Sequence, residues 1–404
     1  MPKKARLLAF TSVFLLIAGV TAFAQKVETV DGVRVVHNGK TGAWGKDPLV
    51  RLELIRTIGE LEAENENVAF YMPNDVAVDK TGNIYVLDSG NHRVQKFGPD
   101  GQYLATIGRK GQGPGELYFP QSIDIDEAGN IYLSDPNNKR IQVLTPDGKE
   151  LKTVSLIKDA PGNVRRTASG EIVTARGQSF IMFSPDEEES KELPKLIKFL
   201  DTEGNVKKEF GEPFDYKNMT VNRMGNQVRF ALDGKDNVYL AFTYQNRVEK
   251  YGSDGKIIWR SDRELDYSTA PPQDKGKTER QGGNLRVQMP RMNTCSIGLA
   301  VDGRGRIWVA ALKRQLKEEE GVGMSIGMTM SDGQRSMSMK PVGNIELRKT
   351  DAYRLEVYDP EGALLGAVPI DHFVDGIRIV KDRLFLLDRL RGAQIFEYRI
   401  IENP

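Results

Sequence analysis

Five methionines fall in one glycine- and serine-rich stretch, GVGMSIGMTMSDGQRSMSMKPV at 321–342. Thioethers are flexible apolar contacts and also soft metal ligands, so the stretch can do chemistry or recognition. A two-residue turn at Asp332-Gly333 would set Met328 opposite Met337 and Ile326 opposite Met339, with serine and glycine on the other side. The result is a hairpin arm with a methionine face, carrying Met324, Met328, Met330, Met337 and Met339. Three uses are open to it: packing against the body of the protein, docking a partner, or capturing Cu(I). No Cys or His lies in the arm to strengthen the last of these.

Other candidates carry less. Arg109 and Lys110 sit in the glycine-rich run Gly108-Arg109-Lys110-Gly111-Gln112-Gly113-Pro114-Gly115, which leads into a strand and not a helix. The amide cradle of a phosphate loop is therefore missing, and the two cations would serve only to attract an anionic partner. Asp88, Asn91 and Arg93 return as Asp135, Asn138 and Arg140. A polar trio repeated in this way is read as bracing for each loop and not as one active site. The run Asp186-Glu187-Glu188-Glu189 lacks the spaced Asn, Gly and carbonyl ligands of a calcium loop, and Pro271-Pro272-Gln273-Asp274-Lys275-Gly276-Lys277, continuing to Gly282-Gly283, reads as a mobile polar loop. Cys295, the sole cysteine, excludes an intramolecular disulfide and reads as a small buried apolar residue.

The elements that must position these groups come from a repeat. Residues 73–101 return in nearly the same order of types at 120–148. Tyr85, Arg93 and Asp100 recur as Tyr132, Arg140 and Asp147, and again as Tyr239, Arg247 and Asp254. Within each copy, short alternating segments are separated by turn signals such as Asp-Lys-Thr-Gly-Asn and Pro-Asp-Gly, which predicts a four-stranded antiparallel meander. One such sheet has two apolar faces and is stable only when copies stack. The last copy, from Asp375, stops after three strands, while Thr57-Ile58-Gly59 echoes Thr106-Ile107-Gly108. The N-terminal strand is expected to complete the last sheet, giving an all-β ring of six blades with no free edge.

The chain resembles the NHL-repeat, six-bladed β-propeller family. The resemblance rests on Gly-Asn-Ile-Tyr at 82–85 and 129–132, on Asn-x-Arg-Val/Ile-Gln at 91–95 and 138–142, and on Gly113-Pro114-Gly115-Glu116-Leu117 before Phe119-Pro120. That family includes lyases, lactone hydrolases, receptor sensor domains and RNA-binding modules, so the resemblance implies a fold more than an activity. Amidating lyases of this kind need several histidines at a metal; here there are only His37, His92 and His372, scattered along the chain. Lactonase-like relatives hold a divalent cation at the starts of the inner strands. The matching positions here are Asp75, Ser122, Asn163, Arg229, Gly298 and Asp375, of which Asp75, Asn163 and Asp375 would converge on Ca²⁺.

Lys3, Lys4 and Arg6, an apolar run to Val20 and Ala22-Phe23-Ala24 read as a secretory signal at 1–24, cut before Gln25. Residues 25–49 read as a hairpin outside the repeat and 50–404 as the ring, with insertions at 176–194, 262–294 and 313–353. Lys and Arg number 57 against 56 Asp and Glu, so no global field favours nucleic acid, and a second apolar segment is missing. All the long insertions, including the interblade loop at 109–118, belong to one rim. The expected function is that of a periplasmic or secreted scaffold, with no cofactor, binding a protein, a peptide or a glycan on that rim through Arg109, Lys110, Arg229 and the methionine arm. The alternative is a Ca²⁺-assisted hydrolase or lyase at the channel mouth.

Overall fold

The second strand of a blade is largely apolar because both of its faces are covered. In Ile84–Asp88 all residues are buried, and they alternate between two cores. Ile84 and Val86 pack with Phe385, Leu387 and Ile395, whereas Tyr85 and Leu87 pack with Ile123, Ile131 and Leu133. The same division recurs in Ile307–Leu312, where Ile307, Val309 and Ala311 face one neighbour and Trp308, Ala310 and Leu312 face the other. A period of two places each side chain on the opposite sheet face from the next, and burial of each large one contributes about 1.5–3 kcal/mol.

The computed structural model describes residues 25–60, 63–156, 161–176, 193–274, 277–281, 284–331 and 334–403. The expected signal segment at 1–24 and the acidic run at 186–189 lie outside the described residues. Six four-stranded antiparallel blades follow the chain. Their inner strands are Pro73–Val78, Ser122–Ile125, Pro161–Arg166, Val228–Leu232, Ser296–Val301 and Gly376–Val380. Val50–Ile58 pairs antiparallel with Gln394–Glu402, Leu54 opposite Tyr398 and Ile58 opposite Ile395. The hairpin of Lys26–Val30 and Val33–Asn38 extends the fourth blade by pairing parallel to Ile257–Arg263. Asn38 is buried there and donates to Ser261 Oγ (2.8 Å) and to the Gly362 carbonyl (3.2 Å).

The short-turn rim is built by one local device. Asp79 accepts the amides of Thr81 (2.9 Å) and Asn83 (3.0 Å), and the Tyr85 hydroxyl (3.2 Å); Asp233 does the same with Lys235, Asn237 and Tyr239. Gly82, at φ +91°, takes the left-handed turn position, which a side chain would strain. The opposite ends of the strands are braced by the repeated polar trio. Asp88 is fully buried and accepts from Arg93 Nε (2.8 Å) and Asn91 (2.9 Å), as Asp135 does from Arg140 (3.2 Å) and Asn138 (2.7 Å).

Two elements depart from expectation. The polar loop read at 271–283 contains a hairpin, Lys277–Gln281 paired with Asn284–Gln288. The strands pair from Gln281 opposite Asn284 to Lys277 opposite Gln288, and the ladder hydrogen bonds of that pairing outweigh the charged composition that reads as a loop. A seven-residue helix, Met219–Gly225, precedes the fourth blade, its first turn closed by Asn218 accepting the Val221 amide at 3.0 Å.

Candidate functional site: the channel mouth and the arm above it

The inner strands begin at the rim that carries the insertions, and three of them begin irregularly. Register shifts fall between Pro73 and Asp75, between Pro161 and Val164, and between Ser296 and Gly298. Such bulges re-aim side chains, here at the mouth of the central channel. Asp75 is buried and accepts the amides of Val76 (2.9 Å) and Ile123 (3.1 Å), and Arg165 Nη1 lies 2.9 Å from its second oxygen. Asp375 accepts the Arg389 amide (2.8 Å), while Arg389 Nη1 donates to Asn74 Oδ1 (2.6 Å). Below them Arg378 donates to Asp124 (2.6 Å).

Two of these ion pairs cross the channel, joining the third blade to the first and the sixth to the second. Arg229, on the inner strand of the fourth blade, makes no hydrogen bond or ion pair among the described residues. Burial, and then the charge of Arg389, push its guanidinium below the ordinary arginine range. The dominant charges at the mouth are thus guanidinium groups. Of the three residues read as a calcium set, Asp75 is held by Arg165, Asn163 lies half-buried in the bulge, and Asp375 has Arg229 and Arg389 near it. Among the described residues no three His, Cys, Asp or Glu side chains are grouped to hold a metal.

The arm lies over this mouth. Val322–Ser331 pairs with Gln334–Gly343 in the expected register, Met328 opposite Met337 and Ile326 opposite Met339. Met339 is buried against Met72 and Phe119, with Tyr71, Tyr118, Met324 and Leu390 around them, and the Tyr71 hydroxyl donates to the Met339 carbonyl at 2.6 Å. The side chains of Met328, Met330 and Met337 lie outside the described residues. At the arm's base Arg314 grips Glu320 through both oxygens (2.6 and 2.8 Å), Thr350 adds a third contact (2.7 Å), and Arg391 donates to the Glu320 carbonyl. The Arg314 guanidinium pulls the Glu320 carboxyl down to about 2, so the clamp stays ionised through the physiological range.

Arg109 and Lys110 have partners within the chain. Arg109 pairs with Glu116 of its own loop at 3.0 Å, and Lys110 stands over the Tyr118 ring at 5.8 Å. Cys295 is fully buried, and burial lifts its thiol to about 11, which leaves it inert. Beside the mouth an open cleft of about 460 Å³ is walled by Met224, Tyr244, Pro271, Pro290 and Met292. The insertions at 262–294 and 313–353 emerge together, since Gln315 accepts the Thr294 amide and donates to its carbonyl, each at 2.9 Å.

A family model described as a 6-bladed beta-propeller, DUF5128, matches residues 55–295. The chain belongs to this family. No curated protein matches the sequence. Among solved structures, the DUF5128 chain is similar to a member of the DUF4221 family from Bacteroides vulgatus, at 10% identity and TM-score 0.53, covering 87% of this chain and 99% of that one. It is also similar to a candidate exported protein from Bacteroides fragilis, at 11% identity and TM-score 0.52, covering 92% and 100%. Virginiamycin B lyase from Staphylococcus aureus shares 11% identity at TM-score 0.47, covering 87% and 100%. At these identities the likeness is one of fold, and the site has to be read from its own residues.

Proposed function

We propose that this DUF5128 propeller is an exported scaffold that binds a protein or peptide partner across its insertion-bearing rim. The observation that carries the reading is the arm seated over the channel mouth, with Met324 and Met339 against Met72 and Phe119 and the open cleft beside it. Thioethers adapt to more than one partner shape, and loops on a rigid ring are where binding groups collect. Export rests on the basic, apolar and small-residue pattern of the first residues. Among the described residues no helix is long and apolar enough to cross a membrane. The calcium-assisted hydrolase reading is set second, because Arg165 already engages Asp75 and arginine charge lies close to Asp375.

The arm can be removed without straining the ring, since Val322 pairs with Gly343 and the flanking chain ends already touch. Deleting residues 322–342 should leave a folded ring, its melting temperature lowered only by the lost Met339 contacts, and abolish recovery of the partner in a crosslinking pull-down from the exported fraction. Recovery of the same partner by both forms would end this reading.

A further inference from the structure

Arg229 is the cation at the mouth that makes neither a hydrogen bond nor an ion pair among the described residues, although the charges of Asp375 and Asp75 reach it. Arg165 is paired with Asp75 and Arg378 with Asp124. Arg391 lies over the Phe373 ring and donates to the Glu320 carbonyl, and Arg389 donates to the neutral Asn74 side chain. Among the described residues, then, three guanidinium groups have no ion pair, Arg229, Arg389 and Arg391, against two carboxylates that accept only main-chain amides, Asp375 and Asp388. The mouth therefore has room for one negative charge more. Arg389 Nε is also buried without a partner.

The cleft leads to this point. Arg229 pairs with Ala241, and the Thr243 amide donates to the Gln227 carbonyl, so Tyr244, on the cleft wall, sits beside the strand that carries Arg229. The cleft's Met224, Pro271, Pro290 and Met292 suit peptide side chains, and Ser268, Asn293 and Thr294 offer polar groups to a peptide backbone. The Arg165–Asp75 and Arg378–Asp124 pairs join inner strands of the third and first and of the sixth and second blades, which narrows the channel past Arg229 and favours a chain that ends there.

We propose that Arg229, with Arg389 beside it, receives the free C-terminal carboxylate of a peptide whose last side chains lie in the Tyr244–Met292 cleft. This rests on the rim-binding reading above and names its chemistry. Guanidinium groups recognise carboxylates through paired, charge-assisted hydrogen bonds, and a guanidinium is more weakly hydrated than an ammonium group, so it gives up its water at less cost.

The test uses the mature chain and a bead library of short peptides displayed twice, once with free C-termini and once amidated, with uronate oligosaccharides as a third arm. Wild type should retain free-acid members at least tenfold over their amidated twins. Arg229→Met should weaken that retention about ten- to a hundredfold, as expected for loss of a charged hydrogen-bond partner. Arg229→Lys should restore part of it. Because Arg229 braces nothing, Arg229→Met should melt at or above the wild-type temperature; a lower one would make Arg229 structural and overturn the assignment. Equal retention of the twins, retention that follows an internal Asp or Glu, binding of uronates alone, or no retained peptide would each overturn it too. Equal retention together with loss of partner capture on arm deletion would leave the rim reading standing and remove only the role of Arg229.

Discussion

Arg263→Met should lower the apparent melting temperature by roughly 4–6 °C, the counterpart of about 3–5 kcal/mol for leaving a buried charge without its partner. Arg263 is 3% exposed and Glu356 is fully buried. Arg263 Nε meets Glu356 at 2.6 Å, Nη2 donates to the Cys295 carbonyl at 3.0 Å, and Nη1 reaches Asn246 Oδ1 at 3.0 Å. One side chain thus pins the outer strand of the fourth blade to the inner and third strands of the fifth. Burial works against both charges, yet Glu356 holds the arginine above its ordinary range and Arg263 holds the carboxyl below its own. Arg354 also contacts Glu356 at 2.6 Å, so the effect belongs at the lower end of the range. The double variant Arg263→Met, Glu356→Gln should recover part of the loss, because the buried carboxylate is then gone and the half-buried Arg354 can turn to water. A single variant that melts with wild type would show that the blades are held by their apolar cores alone.

The second large effect is one of pH. In the first two blades the buried aspartate at the end of the second strand faces an arginine, Asp88 opposite Arg93 and Asp135 opposite Arg140. In the last blade Gln394 stands across from Asp388. Burial, reinforced by the charge of Asp375, pushes the Asp388 carboxyl up to about 6, only partly offset by the amides of Arg391 and Gly392. The folded chain then holds this proton more tightly than the unfolded one. Stability from this group is present below about pH 4 and is lost as pH rises through 6, by about 2–3 kcal/mol in all. Asp388→Asn should flatten that part of the stability profile and melt higher than wild type at pH 8. Equal slopes between pH 4 and 7 for the two proteins would contradict the assignment.

Much of the ring is legible in the sequence because its determinants are local. Asp79, Gly82 and Asn83 make a turn with their own neighbours, and the alternation in Ile84–Asp88 needs no knowledge of what covers it. The arm's register is equally local, since a two-residue turn sets every pair that follows. The mouth is different. Arg165 meets Asp75 across 90 residues and Arg378 meets Asp124 across 254, so only ring closure brings them together. One signal was available: Arg378 lies between the buried Ile377 and Ile379 on an inner strand, a charge that must point into the channel. The helix Met219–Gly225 was not legible, being a single short segment held by the Asn218 cap and by packing.

That the insertion-bearing rim is the working face is tested most directly by site-specific photocrosslinking. A photoreactive phenylalanine would replace Arg291 or Met324 on that rim, and Lys80 or Lys235 on the short-turn rim, all in the exported, folded chain. Partner adducts should form from positions 291 and 324 and not from 80 and 235. Adducts from the short-turn rim, with none from the cleft or the arm, would contradict the account.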